Sequence, residues 1–81
     1  MLVKDLKKGT RILLRNGWYG TLQDNARGTT RVAEVEGVYT ESGSIYSHNI
    51  VGYFVNSQLK RDIEYTKQQL AVQQMDRMFG G

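Results

Sequence analysis

Arg11, Arg15, Arg27 and Arg31 are interleaved with Trp18, Tyr19, Tyr39, Tyr46 and Tyr53 across residues 11–53 of an 81-residue chain. Aromatic faces set among guanidinium groups can stack bases and hold phosphate oxygens, so the set reads as a candidate surface for an anion such as nucleic acid or a nucleotide. Tyr19 and Tyr46 have polar sequence neighbours and suit an exposed face. Trp18 abuts a turn and keeps two readings, ligand contact or core, whereas Phe54 is expected in the core. With His48 added, the candidate ligand-binding set is Arg11, Arg15, Trp18, Tyr19, Arg27, Arg31, Tyr46 and His48.

Charge distribution points the same way. Residues 1–31 carry Lys4, Lys7, Lys8, Arg11, Arg15, Arg27 and Arg31 against Asp5 and Asp24, while residues 32–56 hold Glu34, Glu36 and Glu41 with no Lys or Arg. A basic first third raises the local concentration of anions, although a net charge of +3 is also ordinary for solubility.

Catalytic readings are weaker. His48 is the only histidine, with Ser42, Ser44 and Ser47 nearby. A Ser–His pair needs an orienting acid and an oxyanion hole, and nothing in the sequence places either. Glu34 and Glu36 stand about 7 Å apart on one face of a strand, but acid–base work needs burial to shift a pKa. Alternation with Ala33 and Val35 reads instead as a solvated face. One histidine, scattered carboxylates and no cysteine make a poor metal site and leave no disulfide. No enzyme, metal or cofactor is expected.

The elements that must position these residues are short strands. Residues 11–15 (RILLR) alternate, with Ile12 and Leu14 on one face and Arg11, Leu13 and Arg15 on the other. Asn16-Gly17 suits a two-residue hairpin turn. Residues 18–24 form a second strand, and after a polar loop residues 29–36, rich in β-branched types, form a third. Residues 37–43 read as a connection, 44–47 as a fourth strand and 50–55 as a closing fifth. The expected fold is mainly β with a C-terminal helix: a small five-stranded barrel over residues 1–56, with Ile12, Leu14, Leu22, Val35 and Ile45 inside.

Residues 57–79 contain no Gly or Pro and are full of helix formers. Asn56 or Ser57 suits the N-cap and Gly80-Gly81 the stop, so residues 57–81 are expected to be one long helix folded with the barrel. At about 100° per residue, Leu59, Ile63 and Leu70 share one face, and Val72, Met75 and Phe79, with Tyr65 nearby, the opposite one. The first group is expected to dock on the chain's own sheet. The second is a candidate oligomer or partner interface, so a homo-oligomer is expected. No segment is apolar enough to span a membrane and residues 1–10 lack a signal-type core, which suits a cytoplasmic protein.

Leu6-Lys7-Lys8-Gly9-Thr10 resembles the opening of SH3-like barrels, and residues 17–22 resemble a KOW-type turn. Asn16-Gly17-Trp18, Asp24-Asn25, Gly28, Arg31, Val35-Glu36-Gly37, Thr40-Glu41, Gly43-Ser44, Tyr46 and His48-Asn49-Ile50 together resemble a group of small proteins encoded by tailed bacteriophages. Here Ala26-Arg27 stands where that pattern has paired lysines, and Asn49 where it has aspartate. The resemblance implies phage origin, a small barrel and an infected host cell as the setting. The expected function is a non-enzymatic binding protein of host takeover or counter-defence, taking nucleic acid or a nucleotide signal. The alternatives are an inhibitor or adaptor docking on a host or phage protein, and a structural virion component.

Overall fold

The alternating stretches form strands as their patterning requires, and six of them pair into one antiparallel sheet in a computed structural model that describes residues 1–79, the side chain of Phe79 excepted. The strands are β1 (Arg11–Leu14), β2 (Tyr19–Leu22), β3 (Thr30–Glu36), β4 (Thr40–Tyr46), β5 (Ile50–Val55) and β6 (Gln58–Lys60). Their order across the sheet is β4-β3-β2-β1-β5-β6, so β4 and β6 are edges and the sheet is not closed. One turn of 3-10 helix, Val3–Asp5, precedes the sheet, another, Ser47–Asn49, links β4 to β5, and helix α1 spans Lys67–Phe79.

Ile12 pairs with Gly20 and Tyr53, and Gly20 with Val35, which puts these positions on one face. There Val3, Leu6, Ile12, Leu14, Leu22, Ala33, Ile50 and Tyr53 are buried, with Val35, Ile45, Ile63 and Tyr65 packed against them. Of the expected core, Ile12, Leu14 and Leu22 are buried while Val35 and Ile45 are half-buried. Phe54 does not join them. It lies on the other face, half-buried, with its ring centroid 5.9 Å from that of Tyr19.

Three local expectations are corrected. The β1–β2 loop has three residues, Arg15-Asn16-Gly17. Gly17 N–H donates to Leu14 O at 2.9 Å and Leu14 N–H to Trp18 O at 2.8 Å. Only Gly17 takes a positive φ, +90°, the left-handed position that follows a type I turn in this loop class. The fourth strand starts at Thr40 rather than Ser44, because β3 pairs without interruption from Thr30↔Tyr46 to Glu36↔Thr40.

The third correction is the largest. Residues 57–66 are not helical. Asn56 (φ 50°) and Ser57 (φ 68°) form a tight turn with both central residues left-handed, which returns the chain along β5 as β6. The helix begins ten residues later than expected, behind a capping box. Gln69 N–H donates to Thr66 Oγ1 at 3.2 Å, and Thr66 N–H donates to Gln69 Oε1 at 2.9 Å. Gln69 is fully buried, and its amide also donates to Gly28 O at 3.0 Å.

These contacts redistribute the predicted helix faces: Ile63 packs inward and Met75 lies outward as expected, while Leu70 and Val72 exchange sides. Val72 is half-buried, whereas Leu70, Met75 and Met78 are exposed. Leu59 belongs to β6, and Tyr65 packs inward with its hydroxyl donating to Ile50 O at 2.7 Å. Tyr65 and Val72 therefore do not form the expected interface. The Phe79 side chain and Gly80-Gly81 lie outside the described residues. No helix among the described residues is long and apolar enough to cross a membrane.

Candidate functional site: an open cleft at the end of the sheet

The β1–β2 loop, the Ser47–Asn49 turn, and strands β3 and β4 converge on an open cleft of about 700 Å³. Its apolar lining comes from Leu14, Val35 and Ile45, with Trp18 and Tyr46 contributing rings. Polar groups come from Arg15, Asn16, Thr30, Ser44 and Asn49. No carboxylate is among these residues.

Trp18 is placed by two features. Its backbone N–H donates to Asn16 Oδ1 at 3.0 Å, which folds the loop beneath it. The ring then lies directly over Gly37, where an added Cβ would come within 2.3 Å of it. Gly37 is thus required for close approach. Trp18 remains 44% exposed, which decides between its two readings in favour of a surface position.

Arg15 extends from the same loop. Its Nη2 donates to His48 O at 2.6 Å and lies 3.4 Å from the Tyr65 hydroxyl, leaving the rest of its fork without a protein partner among the described residues. Tyr46 is held by His48, whose ring stacks on it at 5.1 Å and 14°. His48 is itself buried. Its Nε2 lies 3.4 Å from Asp76 Oδ2 of α1, and its Nδ1 has no partner among the described residues. His48 therefore supports Tyr46 from outside the cleft lining.

Of the eight candidate residues, the fold brings Arg15, Trp18 and Tyr46 together in the cleft, keeps His48 behind Tyr46, and disperses Arg11, Tyr19, Arg27 and Arg31. Arg11 is ion-paired with Glu36 and sits 5.3 Å over the Tyr19 ring, on the opposite face of the sheet. Arg27 is exposed, 3.9 Å from Asp5. Arg31 is 1% exposed and cannot meet a ligand. Its Nε donates to Asp24 Oδ1 at 3.0 Å and its Nη2 to Asp24 O at 2.7 Å. Val3 O at 2.9 Å and Leu6 O at 2.8 Å take the remaining bonds. Asn16 and Asn49 were missed as lining residues.

Two phenols outside the cleft lining are pushed upward by their surroundings. A hydrogen bond to Asp62, at 2.8 Å, raises Tyr53 above the usual phenol value near 10, and burial raises Tyr65. Both are favoured in the neutral form by the fold, so the native state holds protons that the unfolded chain releases. Their contribution is intact below about pH 10, where a free phenol ionises, and is lost as pH rises through the folded values. Urea midpoints measured from pH 8 to pH 11 are expected to fall above pH 10. Tyr53→Phe combined with Tyr65→Phe should flatten that fall, and an unchanged slope in this variant would contradict the assignment.

Comparison with protein-family models, with curated proteins and with solved structures returns no match to this chain.

Proposed function

We propose that this chain is a non-enzymatic binding module whose cleft takes a flat anionic ligand, a nucleotide or a short single-stranded stretch of nucleic acid. The observation that carries the reading is the convergence of Trp18, Tyr46 and the partly unengaged Arg15 guanidinium on one open cavity of about 700 Å³. That size lies within the range of about 300–1,000 Å³ usual for small-molecule sites. Aromatic faces supply stacking, the guanidinium supplies phosphate contact, and the Asn16 and Asn49 amides can read a base edge. A lining without carboxylates favours anions.

The unclosed six-stranded sheet is read here as an open SH3-like barrel with β6 as an additional edge strand. The likeness to phage-encoded proteins supports a role in host takeover or counter-defence within the infected cytoplasm. Docking on a host or phage protein is the second reading, favoured by the uncovered edge of β4.

Titration with mononucleotides, cyclic dinucleotides and single-stranded oligonucleotides at low salt tests the proposal through Trp18 fluorescence. Ligand is expected to quench Trp18 and to bind more weakly as salt rises. Arg15→Gln should reduce the salt slope by about 1, the value for one phosphate contact, while Arg27→Gln leaves binding in place. Trp18→Ala, followed by calorimetry, should cost about 1–3 kcal/mol of binding, as for a lost stacking contact. Absence of any response across all three ligand sets would overturn the proposal.

A further inference from the structure

Strand β4 is an edge whose hydrogen-bonding phase can be read from its two ends. Ser47 N–H donates to Thr29 O at 2.8 Å beyond one end, and Gly37 N–H donates to Tyr39 O at 3.1 Å beyond the other. Bonded and non-bonded pairs alternate in an antiparallel ladder. In the unbroken register between those points, Glu41, Gly43 and Ile45 therefore direct their backbone groups to β3. The N–H and C=O groups of Thr40, Ser42, Ser44 and Tyr46 turn to the open side.

One charge, Glu41, is the only device on this strand against edge pairing. The strand contains no Lys, no Pro and no bulge. All seven residues are exposed except Ile45, which is half-buried.

The charges around the edge indicate what fits it. Glu34 lies opposite Ser42 and Glu41 opposite Val35, and these adjacent register positions point to opposite faces of the sheet. Glu36 is engaged by Arg11, but neither Glu34 nor Glu41 has an ion-pair partner among the described residues. Residues 32–56 contain no Lys or Arg. A strand added beside β4 thus meets a free carboxylate on each face. A second copy pairing through the same edge would add the same carboxylates and no cation.

We propose that β4 is a strand-addition site for an extended basic segment of a partner protein, with neighbouring Lys or Arg side chains answering Glu41 on one face and Glu34 on the other. Backbone bonds to Thr40, Ser42, Ser44 and Tyr46 hold the segment, and the carboxylates select its charge. The edge shares Ser44 and Tyr46 with the cleft, whereas Thr40, Ser42 and the selecting carboxylates of Glu34 and Glu41 lie outside its lining, so the charge preference is tested independently of the nucleotide reading.

The test uses fluorescent peptides of about seven residues, the length of the strand, rich in Val and Thr. One carries paired lysines, one has glutamates in their place, and one is the lysine peptide N-methylated at alternate amides. The lysine peptide is expected to bind at least about tenfold more tightly than either of the others, as loss of a pair of hydrogen bonds implies. Ser42→Pro removes an outward N–H and no bond to β3, and should weaken the lysine peptide about tenfold. Glu34→Lys with Glu41→Lys, which leaves the backbone intact, should invert the preference toward the glutamate peptide. Equal binding of the N-methylated peptide would show charge attraction without strand addition and overturn the proposal. So would sedimentation as a dimer that Ser42→Pro dissociates, since a second copy would then own the edge.

Discussion

Arg31→Met is expected to destabilise the protein by about 3 kcal/mol, the lower end of the usual cost of removing one partner from a buried charged pair, because a quarter of the Asp24 side chain still reaches water. The side chain is fully enclosed and donates to Asp24, Val3 and Leu6. Those bonds tie β3 to the loop after β2 and to the Val3–Asp5 turn. Methionine fills much of the volume but leaves the Asp24 carboxylate and the carbonyls of Val3 and Leu6 without donors. A domain of this size has roughly 4–12 kcal/mol in hand at about 0.05–0.15 kcal/mol per residue, so much of its stability is lost. Arg31→Lys should recover only part, because one ammonium cannot span acceptors that the planar fork reaches on separate segments. Adding Asp24→Asn to Arg31→Met should restore some stability by removing the stranded charge. Urea midpoints decide the matter, and a wild-type midpoint in Arg31→Met would refute the structural role.

The second large effect is expected in the core, and the cleft makes it uneven. Ile12 is completely enclosed at the centre of the sheet, so Ile12→Ala should cost about 4–5 kcal/mol, near the top of the range for such truncations. Leu14 is also buried but lines the cleft. Space vacated there opens toward solvent instead of remaining an empty void, so Leu14→Ala should cost about 2–3 kcal/mol. Leu14→Ala should also alter ligand binding, which Ile12→Ala at a temperature where it stays folded should not. If Leu14→Ala proves the more damaging to stability, the cleft does not extend to that side chain.

Alternation and turn chemistry made most of the sheet legible. Ile12, Leu14 and Leu22 are separated by one-residue steps within their strands from positions that face the other way, and that period alone assigns them inward. Residues 57–66 depart from the helical expectation because their helix-forming composition carries no information about a partner. Pairing with β5 across the Asn56-Ser57 turn outweighed a weak local preference, as tertiary contacts commonly do. The true helix start was present in the sequence as Thr66-x-x-Gln69, but a capping box inside an unbroken run of helix formers does not announce itself as a boundary.

By itself the sequence determined the β-rich class, the inward positions of the first two strands, the basic first third and the acidic middle, because each depends on neighbours a few residues apart. It also placed arginines and aromatic residues in one region without distinguishing their roles. That Arg31 is a buried tie while Arg15 reaches the cleft is a consequence of packing, since the difference lies in acceptors at Val3, Leu6 and Asp24 for one and at His48 for the other. The tertiary structure likewise set Trp18 over Gly37 and left β4 with a neighbour on one side only. These outcomes depend on which distant backbone groups come within about 3 Å of a side chain, a matter of strand order and loop closure that no local pattern encodes.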